Sequence, residues 1–507
     1  MRGMLLKANI KTIISDENGK KYLQENVQQN IVLVNAKNAV KSSCDTMPDS
    51  TERSAYIIFT SGTTGEPKGV EISHRSAWNT IDEVNKICCV DEHSKILSVS
   101  ALEFDLSVYD IFGILSEGGT VVVTSENARR DAAVWANAIM DYNITVWNSV
   151  PYLLNMLLTV AETEGKVFPS LKKVILSGDW IGLDLPERLK RIAPNAEMLA
   201  MGGATEAAIW SNFIQVQLPL PSKWVSIPYG KPLAGQLYRV VDQAGKDCPN
   251  WVSGELWIGG DGVAKGYISD DLLTEEKFVY ENGIRWYKTG DMGRFWPDGT
   301  IEFLGRKDTQ VKIRGHRIEM GEIESILNQY PGIISSVVDV VGIKESKKIY
   351  AYIISRQKKL DFKSIEQFLK SYLPEYMIPS KFVMGEKIPL SLNGKVERSY
   401  VSRILEENLN VESVDYEEPI GTTETTISLI WKKVLKIEKL SRNDDFFEVG
   451  GDSLKAVSIM SQLKQKNLVP INTSVQILFT NSTIKKFAEQ VNRLNMEENQ
   501  ETEIDTI

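Results

Sequence analysis

The sequence predicts a multidomain α/β protein: a parallel sheet, a small β region, a small α+β unit and an all-helical unit. Three observations carry this prediction. Apolar runs and amphipathic stretches alternate as βαβαβ between positions 120 and 178, the pattern of a parallel sheet with crossover helices. From about 215 to 305 Gly and Pro recur, which shortens the elements and breaks them into turns. After position 420 helical periodicity returns without strands.

The elements follow in order. TVVVTS (120–125) reads as a strand, and DAAVWANAIMDY (131–142) as a helix with Val134, Trp135, Ala138 and Ile139 on one face. ITVWNSV (144–150) is the next strand, PYLLNMLLTVAE a helix opened by Pro151, and KKVILSG (172–178) a third strand. GELWIGG and GTIEFLG are strand-like pieces of a partly antiparallel β region. From 307 to 402 the order is mixed: VKIRGHRIE, helical GEIESILNQY, strands SSVVDVVGI and KIYAYIIS, and helical SIEQFLKSYL. ILEENLNVESVDYEEPI (404–420) is polar and acidic, as a linker would be. Beyond it Ile427, Ile430, Trp431 and Val434 share one helical face, and Leu454, Val457, Met460 and Leu463 another. STIKKFAEQV adds a further helix, and the acidic tail NMEENQETEIDTI is expected to lack fixed structure.

The chain has 507 residues, 42% hydrophobic and 25% charged, as in a globular protein of several domains. A net charge of −9 argues against a nucleic-acid surface. Cys44, Cys88, Cys89 and Cys248 show neither metal-ligand spacing nor a disulfide framework, which suits a reducing compartment. Only His74, His93 and His316 are available, too few for a His-rich metal site. MRGMLLKANIKTI has no sustained apolar core, and no apolar run has the length to cross a bilayer. The expectation is a cytoplasmic protein without membrane or nucleic-acid partners.

Residues 60–69 read TSGTTGEPKG, directly after the β-favouring run Tyr56–Phe59. Gly62 and Gly65 let the backbone approach a ligand closely. Successive N–H groups in such a loop form an anion nest. Thr60, Ser61, Thr63 and Thr64 add hydroxyl donors and Lys68 adds a positive charge. Together they suit a polyphosphate, although GxxxxGK[ST] is absent and a P-loop NTPase is excluded. Taken alone, the loop is equally readable as a solvated turn.

Further motifs follow in order: FDLSVYDIF (104–112), GGATEAAIW (202–210), GELWIGGDGVAKGY (254–267), YKTGDMGRF (287–295), GRKDTQVKIRGHRIEMGEIE (305–324), LPEYMIP with LSLNGKVER (373–398), and DDFFEVGGDSLKAV (444–457). With the phosphate loop, these resemble the adenylation domains of nonribosomal peptide synthetases followed by their peptidyl carrier domain. The resemblance spans nearly the whole chain. It implies an adenylate-forming α/β large subdomain (1–306), a C-terminal α+β subdomain (307–402), a linker (403–420), a four-helix carrier domain (421–492) and an acidic tail (493–507).

The resemblance also implies chemistry. An amino-acid carboxylate attacks the α-phosphorus of ATP, pyrophosphate leaves, and a phosphopantetheine thiol takes the aminoacyl group from AMP. Glu206 would hold Mg²⁺, as a hard cation prefers oxygen, and Thr205 would contact the α-phosphate. The 60–69 loop would hold the outer phosphates. Gly178 would adjoin the nucleotide, Asp291 would accept the ribose hydroxyls, and Arg306 would support ribose and phosphate. Lys395 would neutralise charge forming at the α-phosphate. Asp308 would be the hinge of the small subdomain, and Ser453 would carry 4′-phosphopantetheine. Outside the resemblance each has an ordinary reading: a surface carboxylate for Glu206, a turn aspartate for Asp291, a solvated lysine for Lys395, a helix cap for Ser453.

Counting from the motifs places the side-chain pocket at Asp105, Leu106, Tyr109, Asn148, Ile175, Ser177, Met201, Ile209, Trp210 and Lys395. Asp105 would pair with the α-ammonium. Bulky Tyr109, Met201, Ile209 and Trp210 would leave a small cavity, with Asn148 and Ser177 at its polar floor. The set resembles the pocket code of cysteine-activating domains, with glycine and serine as competitors. Ile175 and Ile209 taken singly read as core.

Two departures stand out. Gly202 and Ala204 replace an aromatic residue and a proline found in many relatives, and only about 55 residues precede the phosphate loop. The short start leads to the expectation of an adenylation domain lacking much of its first part. Implied partners are a small amino acid, a phosphopantetheinyl transferase, condensation or cyclisation domains of the same assembly line, and an MbtH-type helper. Two alternatives remain: a stand-alone acyl- or aryl-CoA ligase, and an inert adenylation region whose carrier is loaded in trans. Asp105 and the GGDSL motif count against the first.

Overall fold

The computed structural model describes residues 2–15, 30–33, 50–60, 67–125, 131–179, 181–222, 224, 226–306, 310–313, 316–342, 347–355, 357, 360–385, 398–407, 416–447, 449–451, 453–470 and 473–504. Ser61, Gly62, Thr63, Thr64, Gly65, Asp308 and Lys395 lie outside these residues, and so does the side chain of Ser453.

Seven strands form the central sheet, in the order Lys231–Pro232, Asn212–Val216, Glu197–Gly202, Lys173–Leu176, Val146–Ser149, Lys95–Ser98, Thr120–Val123. The last five run parallel. The first two add antiparallel at one edge. The expected βαβαβ segment lies inside this sheet. Asp131 opens the helix Ala132–Tyr142 by accepting from the Ala133 N–H, and Asn143 closes it in the left-handed conformation. Pro151 occupies the first turn of Pro151–Glu164, where its missing N–H has no intrahelical partner to lose. Trp135 and Trp147 are fully buried between helix and sheet, with ring centroids 5.9 Å apart.

The expected small β region is an antiparallel sheet of Gln236–Val241, Gly254–Gly260, Ile284–Phe295 and Phe278–Glu281, with Ile301–Arg306 also paired to the long central strand. Ser54–Thr60, Lys68–Ser73 and Gly266–Tyr267 form a separate three-stranded sheet. Thr60 faces Lys68 in register, so the phosphate-loop segment connects two antiparallel strands.

The α+β unit is a three-stranded sheet, Ile333–Val341, Lys348–Ser355 and Lys381–Gly385. Ile323, Leu327, Ile365 and Leu369 of its helices pack on one face, and Val401 and Leu405 on the other. Those last two residues correct the expected boundary. The helix Arg398–Glu407 continues through the proposed start of the linker, because its buried apolar positions recur at i and i+4.

The helical unit consists of Gly421–Leu435, Ser453–Gln465, Gln476–Thr480 and Ile484–Ile504, around Trp431, Phe446, Leu463 and Phe487. Its last helix runs through most of the acidic tail, contrary to the expectation of no fixed structure. Glu, Gln and Met are good helix formers, and propagation from a packed first half is easier than nucleation. Ser453–Gln465 lies along Pro151–Glu164 in the same direction. The Leu454 N–H donates to Tyr152 Oη at 3.0 Å, and Gln465 Nε2 donates to the Thr163 carbonyl at 2.6 Å.

Candidate active site

Four segments converge beside the carboxyl edge of the parallel sheet. Asp105 stands just before the short helix Leu106–Val108. Thr205 and Glu206 form a 3₁₀ turn after the strand Glu197–Gly202. Asp291 and Arg306 face one another in register across two antiparallel strands. The fourth segment is the Gly266–Tyr267 strand, hydrogen-bonded to Lys68–Ser73.

Their side chains are joined by short polar contacts. The Thr205 hydroxyl donates to Asp105 Oδ2 at 2.7 Å. The Tyr267 hydroxyl donates to Glu206 Oε1 at 2.8 Å, and Glu206 is fully buried. Lys68, also buried, lies 6.0 Å from the Tyr267 ring centroid, within reach of the quadrupole attraction between a cation and an aromatic face. Arg306 Nη1 donates to Asp291 Oδ1 at 2.6 Å, and the Asp291 N–H donates to Thr289 Oγ1 at 2.9 Å. Burial first, and then the nearby Asp105 carboxylate, push the Tyr56 phenol well above its usual range.

Two cavities adjoin this cluster. The larger, ≈ 350 Å³, is walled by Gly178, Met201, Gly202, Tyr229, Phe303 and Arg306 among others, a size suited to a nucleoside. The smaller, ≈ 60 Å³, is lined by Asp105, Leu106, Ser177, Ile209, Trp210 and Asp291 among others. Gly178, with φ +83°, borders both, and a Cβ there would approach Val150 to 3.1 Å. Trp210 Nε1 donates to Ser177 Oγ at 2.8 Å, and Tyr109 packs edge-on against Trp210 at 5.0 Å.

The structure thus brings Asp105, Leu106, Ser177, Ile209 and Trp210 to one small cavity. It places Met201 on the larger cavity instead, because Met201 belongs to the strand end that borders the nucleotide side. Tyr109, Asn148 and Ile175 are fully buried and line neither of the two. Asn148 and Ile175 pair in register inside the sheet, which sets them behind the cavity wall. Asn148 Nδ2 donates to Asp110 Oδ1 at 2.7 Å and to the Leu106 carbonyl at 3.3 Å.

Sequence reasoning missed Tyr267 and Asp110, although both lie inside quoted motifs. A second acid in the otherwise apolar run FDLSVYDIF, five residues after Asp105, was the available signal for Asp110. Burial pushes its carboxyl up to about 8, while the Asn148 hydrogen bond acts in the opposite direction.

The residues present fit a magnesium nucleotide. Among the described residues no three His, Cys, Asp or Glu side chains form a metal cluster. Glu206 is fully buried and lines neither cavity, next to Thr205, which lines the smaller; it offers the one carboxylate that, with the nucleotide's own phosphate oxygens, would hold Mg²⁺. The Thr60 hydroxyl, at the start of the phosphate-loop segment, is buried and has no hydrogen-bond partner among the described residues. A phosphate oxygen would satisfy it. No helix among the described residues has the length and apolarity to cross a membrane.

Comparison with known proteins agrees with this arrangement. The family of AMP-binding enzymes matches residues 2–268, and the phosphopantetheine attachment site family matches residues 425–491. The chain is 45% identical over 458 residues to the anguibactin system regulator of Vibrio anguillarum, covering 89% of this chain and 43% of that protein. It is 51% identical over 297 residues to pyochelin synthetase PchE of Pseudomonas aeruginosa, covering 58% of this chain and 20% of that protein. Its fold is similar to that of holo-PA1221, a nonribosomal peptide synthetase protein with adenylation and carrier domains. There the TM-score is 0.75 at 23% identity, over 97% of this chain and 81% of that one. The chain spans less than half the length of these two curated relatives. By the family match, the motif order and the fold, the chain belongs to the AMP-binding enzymes, as a nonribosomal peptide synthetase adenylation domain followed by a phosphopantetheine carrier domain.

Proposed function

We propose that this chain activates a small α-amino acid, cysteine in the first instance, as its adenylate and loads it as a thioester onto the phosphopantetheine arm of Ser453. The observation that carries the reading is the buried Asp105 carboxylate. It is bonded to Thr205 and lines the same small cavity as Asp291 and Arg306. A carboxylate there matches an α-ammonium and disfavours an aryl or fatty acid. It stands next to the groups assigned to ribose and phosphate. The restricted volume and the Ser177 hydroxyl suit a short, weakly polar side chain.

The roles divide by position. The amino-acid carboxylate oxygen bonds to the α-phosphorus, and the bond from that phosphorus to the bridging oxygen breaks to release pyrophosphate. Lys68 and the loop hydroxyls oppose negative charge on the outer phosphates, Thr205 contacts the α-phosphate, and Lys395 neutralises charge forming there. Asp291 and Arg306 hold the ribose. The pantetheine thiolate then bonds to the acyl carbon and AMP leaves. A phosphopantetheinyl transferase must modify Ser453 beforehand. Condensation or cyclisation domains would take the aminoacyl group onward, and an MbtH-type helper is a candidate partner.

Amino-acid-dependent ATP–pyrophosphate exchange across the common amino acids tests this reading. Exchange with cysteine, and little with serine or glycine, is expected. Exchange with another amino acid would retain the ligase and discard the pocket assignment. No exchange from the folded chain would favour a carrier loaded in trans.

A further inference from the structure

Position 202 has no side chain, yet the space beside it is filled. A Cβ placed on Gly202 would meet Asn212 Oδ1 at 2.7 Å and Tyr229 Cδ1 at 3.1 Å. Tyr229 comes from a different segment and precedes Gly230, whose φ of +82° turns the chain. Phe303 stacks on the Tyr229 ring with centroids 5.0 Å apart and planes within 10°. That stack holds the ring in place, and the part of Tyr229 left open lines the ≈ 350 Å³ cavity together with Gly202 and Arg306. Burial above all, and then the Asp291 carboxylate, push the Tyr229 phenol well above its usual range.

We propose that Tyr229, braced by Phe303, is the aromatic platform on which the adenine base of the nucleotide stacks, standing in for the ring absent at position 202. A purine has a π-face that an aromatic side chain can cover, and such stacking tolerates changes in the base. The inference rests on the nucleotide reading of this cavity.

The test is calorimetric binding of AMP and of ribose 5-phosphate to the full chain, with Tyr229→Phe, Tyr229→Leu and Tyr229→Ala variants checked for an unchanged melting temperature. Tyr229→Leu keeps bulk without a π-face, so it serves if Tyr229→Ala does not fold. Loss of stacking by Leu or Ala should weaken AMP roughly tenfold. Ribose 5-phosphate should bind within about twofold of wild type, and Tyr229→Phe should match wild type for both. Equal weakening of the two ligands, or unchanged AMP affinity in Tyr229→Leu, overturns the platform while leaving the nucleotide site intact. A wild-type chain that binds no AMP overturns the nucleotide reading and the platform together.

Discussion

The Thr205 hydroxyl hydrogen-bonds to the Asp105 carboxylate at 2.7 Å, tying the residue assigned to the α-phosphate to the residue assigned to the α-ammonium. Residues in contact are coupled, yet their different partners should make the two substitutions distinguishable. Asp105→Asn removes the charge and keeps the shape. It should raise the KM for the amino acid by about a hundredfold or more, on the order of 3 kcal/mol for a buried charged hydrogen bond. The KM for ATP should stay within about threefold. Thr205→Val should raise both. Steady-state exchange kinetics with each substrate varied in turn would check this, and an equal rise of both constants in Asp105→Asn would contradict it.

Asp110 supplies a pH signature. Its folded-state carboxyl is pushed up to about 8 by burial. Between the ordinary carboxylate range and that value the folded chain holds a proton that the unfolded chain has released. Stability therefore falls as pH rises across this window. The neighbouring Tyr109 phenol and Cys88 thiol stay neutral throughout, the thiol raised to about 12 chiefly by burial. Asp110→Asn cannot ionise. Relative to wild type, its stability should be higher at pH 8 than at pH 5 by on the order of one to a few kcal/mol, seen as a raised melting temperature. Melting curves at the two pH values decide, and a constant offset would show that Asp110 does not titrate in this range.

Thiol reactivity should separate two adjacent cysteines. Cys88 is buried and its thiol is held neutral, whereas Cys89 is exposed. Only the thiolate alkylates at an appreciable rate. Iodoacetamide on the native chain, followed by peptide mass spectrometry, should label Cys89 while Cys88 stays unlabelled until the chain unfolds.

The division of labour between the two ends of the chain is open to a paired test. Ser453→Ala should abolish thioester loading and leave pyrophosphate exchange at the wild-type rate. Lys395→Ala should suppress exchange by about a hundredfold, as expected for a cation placed at developing charge, while Ser453 still accepts phosphopantetheine. Loading assays and intact mass would distinguish these results from a general loss of fold.

The parallel sheet was legible because its signal is local. The periodicity of 120–178 and Pro151 as a helix opener act within a few residues, whereas Asp131, read as the first helical residue, is the cap before it. Boundaries were less legible where burial decides them. Val401 and Leu405 extend a helix into a segment whose composition reads as linker. The candidate site divides in the same way. The motifs found Asp105 and Glu206, which lie in turns between elements, and Asp291, which lies inside the strand Ile284–Phe295. Counting residues could not tell that Asn148 and Ile175 sit inside the sheet while Met201 turns toward the other cavity. Tyr229 was missed because nothing near it in sequence refers to position 202.

The crowding around Gly202 also couples two positions. An aromatic side chain placed at 202 alone would run into Asn212 and the Tyr229 ring. Removing Tyr229 alone would leave that wall of the cavity without a ring from either position. The two sites are therefore expected to tolerate exchange of the ring only when both are changed together, which makes them a pair to be redesigned as a unit.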